Sequence, residues 1–175
     1  MSCNSAHTCE SRIESFFEHN SAGDFIPRTI LIDSDPSVQQ YLRSKKNYFN
    51  IPSQYCVYSS KGNDMNYSKG RIDQETLEIS VEACRKMLES CENFQAFQIF
   101  HSLGGGTGSG LMEVLLEHLA ESYPKKERVA FSCCPSNKIS ELPLETINAC
   151  FRFISLTEYI HISLILDNEL FLIGL

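Results

Sequence analysis

The amino-acid sequence predicts an α/β domain: a mostly parallel sheet with helices on both faces. Three observations predict it. Apolar runs rich in β-branched residues alternate along the chain with segments of helical periodicity. Those runs are apolar on both faces, as strands covered on both sides are. And a glycine-dense turn, "GGGTGSG" at 104–110, joins one apolar run to an amphipathic segment, where ligands bind in folds of this class.

Taken in order, the first dozen residues are polar and patternless, and residues 1–13 read as a disordered arm. "IESFFEH" (13–19) reads as a short helix. "PRTILID" (27–33) ends in an apolar run and reads as a strand, and "QYCVY" (54–58) as a second one. "SSKGNDMNYSKG" is a loop by composition. Residues 73–92 carry apolar groups at 77, 81, 84, 88 and 91, a helical spacing, with Asp73 and Glu75 suited to the positive end of the dipole. "FQAFQIFHSL" is a strand. After the glycines, Leu111, Val114, Leu115 and Leu119 form one helix face, with His118 beside it as a packed, hydrogen-bonded histidine. "RVAFSCC" is a strand. Residues 145–159 read as a helix with Ile147, Phe151 and Ile154 on one side, and "IHISLIL" as a last strand.

Bulk properties narrow the function. The 175 residues suit one domain, long enough to bury roughly 70% of its unfolded surface. A net charge of −7 argues against nucleic acid as a partner, and Lys125-Lys126 reads as a solvated turn after Pro124. No stretch reaches the roughly 18 apolar residues of a membrane span. The N-terminus lacks the basic-then-apolar pattern of an export signal, so a cytoplasmic chain is expected. Eight cysteines at irregular spacing, with no CxxC pair, read as buried or half-buried thiols and not as a zinc site or a disulfide framework.

A glycine loop between a buried strand and a helix can bring several main-chain N–H groups close to an anion. Thr107 and Ser109 add hydroxyls. The run lacks the GK[ST] ending of a Walker A loop and does not fit GxGxxG. It reads as a phosphate cradle. Asp33 and Asp35, in "LIDSDPS", sit two apart at a strand end, so their side chains point the same way. They suit Mg²⁺, or Asp35 starts a helix with the Pro and Ser that follow. Asn168, after the last strand, carries an amide able to read a purine edge.

These motifs together resemble the tubulin family. "FHSLGGGTGSG" resembles its fourth strand and signature loop, and "IPRTILIDSDPSV" the segment ending D-L-E-P. "NYSKG" is similar to its third loop, N-N-[YW]-A-[KR]-G, "FSCCPS" to the strand before its fifth loop, "LETIN" to V-E-P-Y-N, and "LDNEL" to V-D-N-E-A. The matches are collinear from about residue 14 onward. Residues 14–175 are therefore expected to form part of a Rossmann-like tubulin/FtsZ nucleotide-binding domain.

The resemblance implies GTP or GDP and Mg²⁺ as ligands. It places Gly105, Gly106, Thr107 and Gly108 on the phosphates, with Ser102 toward the base. Asn66 falls on one asparagine of the third loop, Glu145 on the acid near the ribose, and Asn168 on the guanine-facing asparagine. Asp35 takes the acid that helps place the metal, one methylene shorter than the family's glutamate. Met65 stands at the other third-loop asparagine and cannot donate a hydrogen bond. Glu141 replaces a small hydroxyl residue. The family's first strand and its glutamine-bearing loop have no counterpart, nor do the later domains, which would leave neighbouring strands unpaired. The implied function is a guanine-nucleotide-binding structural constituent of the microtubule cytoskeleton, partnered by other tubulin subunits. The alternative is a regulatory or vestigial fragment that binds tubulin or its chaperones without turnover. Weak or absent GTPase activity is expected of the chain alone. The subfamily stays open: "HSLGGG" leans toward β, "FHS" toward α and "YPKK" toward γ.

Overall fold

Strand and helix alternate through the described residues, which in this computed structural model are 13–19, 23–37, 41, 51–59, 61–136 and 142–169. Apart from Ile13 the expected arm lies outside them, as do Glu141 and the last six residues.

The chain opens with an antiparallel pair, β1 (Phe17–His19) and β2 (Phe25–Pro27), with Phe17 opposite Pro27 and His19 opposite Phe25. The expected helix over 13–19 is therefore corrected to a turn and a strand. Seven residues are too few to nucleate a helix unaided, whereas a strand here gains aromatic partners across the pair. Phe17 meets Phe25 edge-on at 6.0 Å, and the His19 ring lies 4.4 Å from Phe25.

Next come β3 (Leu31–Asp33) and β4 (Cys56–Tyr58), paired in parallel with Leu31 opposite Cys56. The segment read as loop ends in helix α1 (Tyr67–Arg71). Asn66 makes the difference: its Oδ1 accepts from the N–H groups of Ser68 (2.8 Å) and Lys69 (3.3 Å), satisfying donors left open at a helix start. Helix α2 (Gln74–Glu89) is capped by Asp73, whose carboxylate accepts from the Thr76 N–H at 3.2 Å and hydroxyl at 2.7 Å. Arg85 reaches both Glu82 and Glu89 on its outer face.

A second parallel sheet holds β5 (Ala96–Ser102), β6 (Glu127–Cys134) and β7 (Ile162–Asp167), in that order. A π-helical turn at Thr107–Leu111 leads from β5 into α3 (Met112–Ser122), and α4 (Pro143–Tyr159) connects β6 to β7. Among the described residues no backbone ladder joins β3 to β5. Instead both rest on shared helices. Ile30, Ile32 and Phe97 pack against Cys84 of α2 and Leu115 and Leu119 of α3. Leu103 and Ala130 pack against Ala149 and Leu156 of α4. Residues 97, 99, 101 and 103 share one face of the sheet by strand alternation, so α3 and α4 cover that face. Phe100, on the other, stacks on Phe131 at 4.5 Å but remains largely exposed.

The side of α4 that carries Ile147, Phe151 and Ile154 faces outward, and one further expectation, for Lys126, needs correction. In α4, Ile147, Phe151 and Ile154 are 50%, 52% and 73% exposed, while Asn148, Ala149, Arg152, Ser155 and Leu156 are buried. The helix turns a mostly polar stripe inward because that stripe finds polar partners under the glycine turn. Lys126 is not a solvated turn residue: its ammonium donates to the Phe94 carbonyl and sits 5.3 Å from the Phe94 ring. The described cysteines are free thiols, with Cys150 exposed and Cys84 buried, its thiol pushed up to about 11 by burial.

Helix α1 docks on the π-turn through reciprocal glycines. A Cβ on Gly70 would lie 2.1 Å from the Gly106 carbonyl oxygen, and one on Gly110 would lie 1.9 Å from the Tyr67 oxygen. Both obstacles are main chain and cannot step aside. The Gly110→Ala variant should lose about 1–3 kcal/mol of unfolding free energy in urea titrations, the usual cost of overpacking. An unchanged midpoint would mean that the two elements are free to separate.

Candidate functional site

The glycine turn sits at the carboxyl end of β5, and each polar group around it can be followed. The Gly104 N–H donates to Ser102 Oγ at 3.2 Å. Turn and cap bonds use neither the Gly105 nor the Gly106 N–H, as expected of the first donors of a helical segment. The Ser109 hydroxyl donates to the Gly105 carbonyl, and the His101 ring takes the Gly108 carbonyl at 2.7 Å. Both carbonyls lie in or beside a stretch wound as π-helix, Thr107–Leu111, a form often found at functional sites.

His101 has one arrangement that satisfies both of its neighbours. A carbonyl can only accept, so Nδ1 carries the proton toward Gly108, and Nε2 accepts from the Ser132 hydroxyl at 2.9 Å. Burial lowers its pKa to about 4, with the positive charge of Arg152 acting in the same direction. The ring is neutral at pH 7.

Two cavities meet at the turn. The larger, about 560 Å³, is lined by Asp33, Ser34 and Asp35 after β3, by Gly62–Met65, and by Gly105–Gly108. The smaller, about 260 Å³, is lined by Cys133, Cys134, Glu145 and Asn168. Ser102, Gly105 and Met65 border both. Of the site residues expected from sequence, Gly106, Thr107, Gly108 and Asp35 thus gather in one chamber, Glu145 and Asn168 in the next, and Ser102 and Gly105 at the junction. Asn66 lines neither chamber; its Oδ1 is committed to the α1 cap.

Several side chains are already engaged. Thr107 Oγ1 donates to Asp33 Oδ1 at 3.2 Å, and receives the Ser34 N–H at 3.3 Å and the Ser34 hydroxyl at 2.8 Å. Its hydroxyl and that of Ser109 are therefore spent inside the protein. Asp35 Oδ1 accepts the Ser37 N–H at 2.8 Å, which holds its carboxyl below the usual range. This is the helix-start arrangement that the sequence also allowed. His118 is half-buried, its Nε2 3.3 Å from the Ser122 hydroxyl. Among the described residues the larger chamber is lined by three carboxylates, Asp33, Asp35 and Asp64, and by no lysine or arginine.

Sequence reading passed over Asn148, the last residue of "LETIN". It is 1% exposed. Its Nδ2 donates to the carbonyls of Met65 and Gly104, each at 2.7 Å, and its Oδ1 accepts the Tyr67 N–H at 3.2 Å. One amide thus ties the glycine turn to the loop facing it. Beside it Glu113 accepts from Tyr67 Oη at 2.5 Å and from Ser155 Oγ at 3.1 Å, and Arg152 Nη1 donates to Ser155 Oγ at 2.7 Å. The available signal was the position of Asn148 within a quoted motif.

Comparison with known proteins adds the following. The family model described as Tubulin/FtsZ family, GTPase domain, matches residues 1–172. The chain is similar to the nucleomorph tubulin alpha chain of Guillardia theta, 34% identical over 164 residues, covering 91% of this chain and 36% of that protein. It is similar to the tubulin alpha chain of Encephalitozoon cuniculi (strain GB-M1), 32% identical over 158 residues, covering 89% and 36%. With the tubulin alpha-6 chain of Naegleria pringsheimi it shares 34% identity over 157 residues, covering 87% and 34%. The chain thus spans about a third of the length of these relatives.

Two outcomes follow. Asn148→Ala removes three hydrogen bonds made by a buried amide, and at about 1 kcal/mol for each it should cost about 3 kcal/mol in denaturant unfolding. His101 binds its proton less tightly when folded than when unfolded, so the stability it contributes is present above pH about 6.5. That stability is lost progressively as pH falls toward about 4. Urea unfolding should show the wild type losing more stability than His101→Gln between pH 7 and pH 5.

Proposed function

The chain belongs to the Tubulin/FtsZ family, GTPase domain, and on that footing we propose that it binds a guanine nucleotide across the two chambers. The phosphates lie on Gly105–Gly108 and the nucleoside lies beside Glu145 and Asn168. The observation that carries this reading is Gly105. The other glycines of the turn are hemmed in by main chain or side chains. A Cβ on Gly105 would meet nothing within 4 Å and would project into open space. No packing constraint and no positive φ demands a glycine there. A ligand that approaches the backbone closely does.

In the smaller chamber the Asn168 amide offers a donor and an acceptor to a purine edge, and the Glu145 carboxylate offers an acceptor to ribose hydroxyls. Glu145 lies close against the turn: its Cβ is 3.3 Å from where a side chain on Gly104 would begin. In the larger chamber the acidic lining would repel a bare polyphosphate. Asp33 and Asp35 would hold Mg²⁺, directly or through water. The bound ion would supply the positive charge that this lining lacks.

At the level of the whole protein, the reading is a tubulin-like component of the microtubule cytoskeleton in the cytoplasm, associating with other tubulin subunits. A regulatory fragment that binds tubulin or its chaperones without turnover is the second reading. The exposed apolar row Ile162, Leu164, Ile165 and Leu166 on β7 favours a partner of some kind. Microtubule cosedimentation with and without GTP separates the two.

Isothermal titration with GTP should show saturable binding in Mg²⁺ and at least tenfold weaker binding in EDTA. Gly105→Ala should weaken that heat at least tenfold while leaving the melting temperature within about 2 °C, since its Cβ meets no protein atom within 4 Å. Binding unchanged by Gly105→Ala would remove the phosphate assignment.

A further inference from the structure

Strand β7 is an edge that nothing covers among the described residues. It pairs with β6 on one side only, and all six of its residues are exposed. Exposed edges are usually blunted by lysine, proline, a bulge or a covering element. The sequence ISLILD holds no lysine or proline, and its register with β6 runs one to one from Ile162 to Asp167 without a bulge. Its one charge, Asp167, stands at the end.

Neighbouring bonds show which main-chain groups face the open side. The Leu103 N–H donates to the Cys133 carbonyl at 2.9 Å, so odd-numbered residues of β6 turn their main chain toward β5 and even-numbered ones toward β7. The Asn168 N–H accordingly donates to the Cys134 carbonyl at 3.2 Å. In β7 it is then the even positions that face β6. The N–H and C=O groups of Ser163 and Ile165 point outward.

The side chains alternate as well. Phe100, Phe131 and Leu164 stand in register across the three strands, on the face that α3 and α4 leave open. This apolar row reaches the edge in the middle of β7.

We propose that β7 pairs with β7 of a second copy of this chain, antiparallel about a twofold axis at Leu164, giving a dimer with one continuous six-stranded sheet. The strand is complementary to itself in this register. A twofold perpendicular to the sheet keeps each face continuous, and an isologous contact pairs each residue reciprocally. Ser163 then lies opposite Ile165 of the second copy, and their outward groups bond each other. Ile162 meets Leu166, and Leu164 meets itself in a non-hydrogen-bonded pair, where side chains approach most closely. At both ends His161 faces Asp167. Its Nδ1 accepts the Arg128 N–H at 3.1 Å, so its Nε2 carries the proton and can donate to that carboxylate. Other registers fit less well. Centred on Ile165, the pairing sets Ile162 against the Asn168 amide; centred on Ser163, it sets Ile165 against His161. An unrelated partner strand would have to supply this pattern, whereas a second copy carries it already.

The test is sedimentation of the nucleotide-free chain over a range of concentrations. The mass should rise from one chain to two and stop there, with a midpoint of about 10–100 µM as suits a small interface. Leu164→Lys and Leu164→Glu each place like charges opposite one another at the axis and should weaken the dimer at least about tenfold. Residue 164 is 46% exposed, so both variants should melt as the dilute wild type does. Mixed in equal amounts, they should recover the dimer, because lysine then faces glutamate. Should either variant lose its fold, Ser163→Pro carries the test: it removes an outward N–H, where edge strands tolerate proline, and should leave a folded monomer. A wild type that is monomeric up to its solubility limit, one that grows past two chains without a plateau, or a mixture no more associated than either variant alone would overturn the proposal. No nucleotide enters the measurement, so such a failure leaves the nucleotide reading where it stands.

Discussion

One buried amide sets the geometry on which the site depends. Asn148 joins Gly104 in the glycine turn to Met65 and Tyr67, at the end of the facing loop and the start of α1. Glycine turns are conformationally free, and freedom is the wrong property for a rigid binding surface. The clasp removes that freedom from the entry of the turn, and the reciprocal glycines Gly70 and Gly110 remove it from the exit. Between these anchors Gly105 is left with open space above it.

The clasp also explains why α4 packs as it does. Its inward stripe carries an asparagine, an arginine and a serine, and burying such groups costs free energy unless they are paired. Most are. Ser155 links Arg152 to Glu113, and Glu113 receives Tyr67 from α1. The exceptions are Arg152 Nε and Nη2, which lack partners among the described residues. Burial lowers the Arg152 pKa to about 10, still charged at pH 7, with Glu113 partly offsetting the burial. The region under the glycine turn is therefore a connected polar core, whereas the apolar clusters lie to either side of it.

Much of this was legible in the sequence. The strand–glycine–helix passage, α2 with its Asp73 cap, and the order of the later strands follow from periodicity and turn chemistry, and the chain matches the family that its motifs resemble. The failures share a cause. Periodicity shows which residues lie on one side of a helix but not which side faces in, and in α4 the side with Ile147, Phe151 and Ile154 faces out. Over 13–19 a local pattern could not anticipate a cross-strand partner eight residues away. At Thr107 the motif implied a free hydroxyl, while the fold supplied Asp33 and Ser34 to occupy it.

The bonds around Thr107 carry one more implication. The strand pair β3–β4 and the trio β5–β6–β7 share helices but no ladder among the described residues. Where the glycine turn meets β3, the recorded polar link is the small knot of Thr107, Ser34 and Asp33. A displacement of the turn therefore tugs on the end of β3. Among the described residues no backbone ladder lies between the two sheets, so this knot, together with the apolar contacts of Ile30 and Ile32, is what couples the position of the turn to that of the smaller sheet.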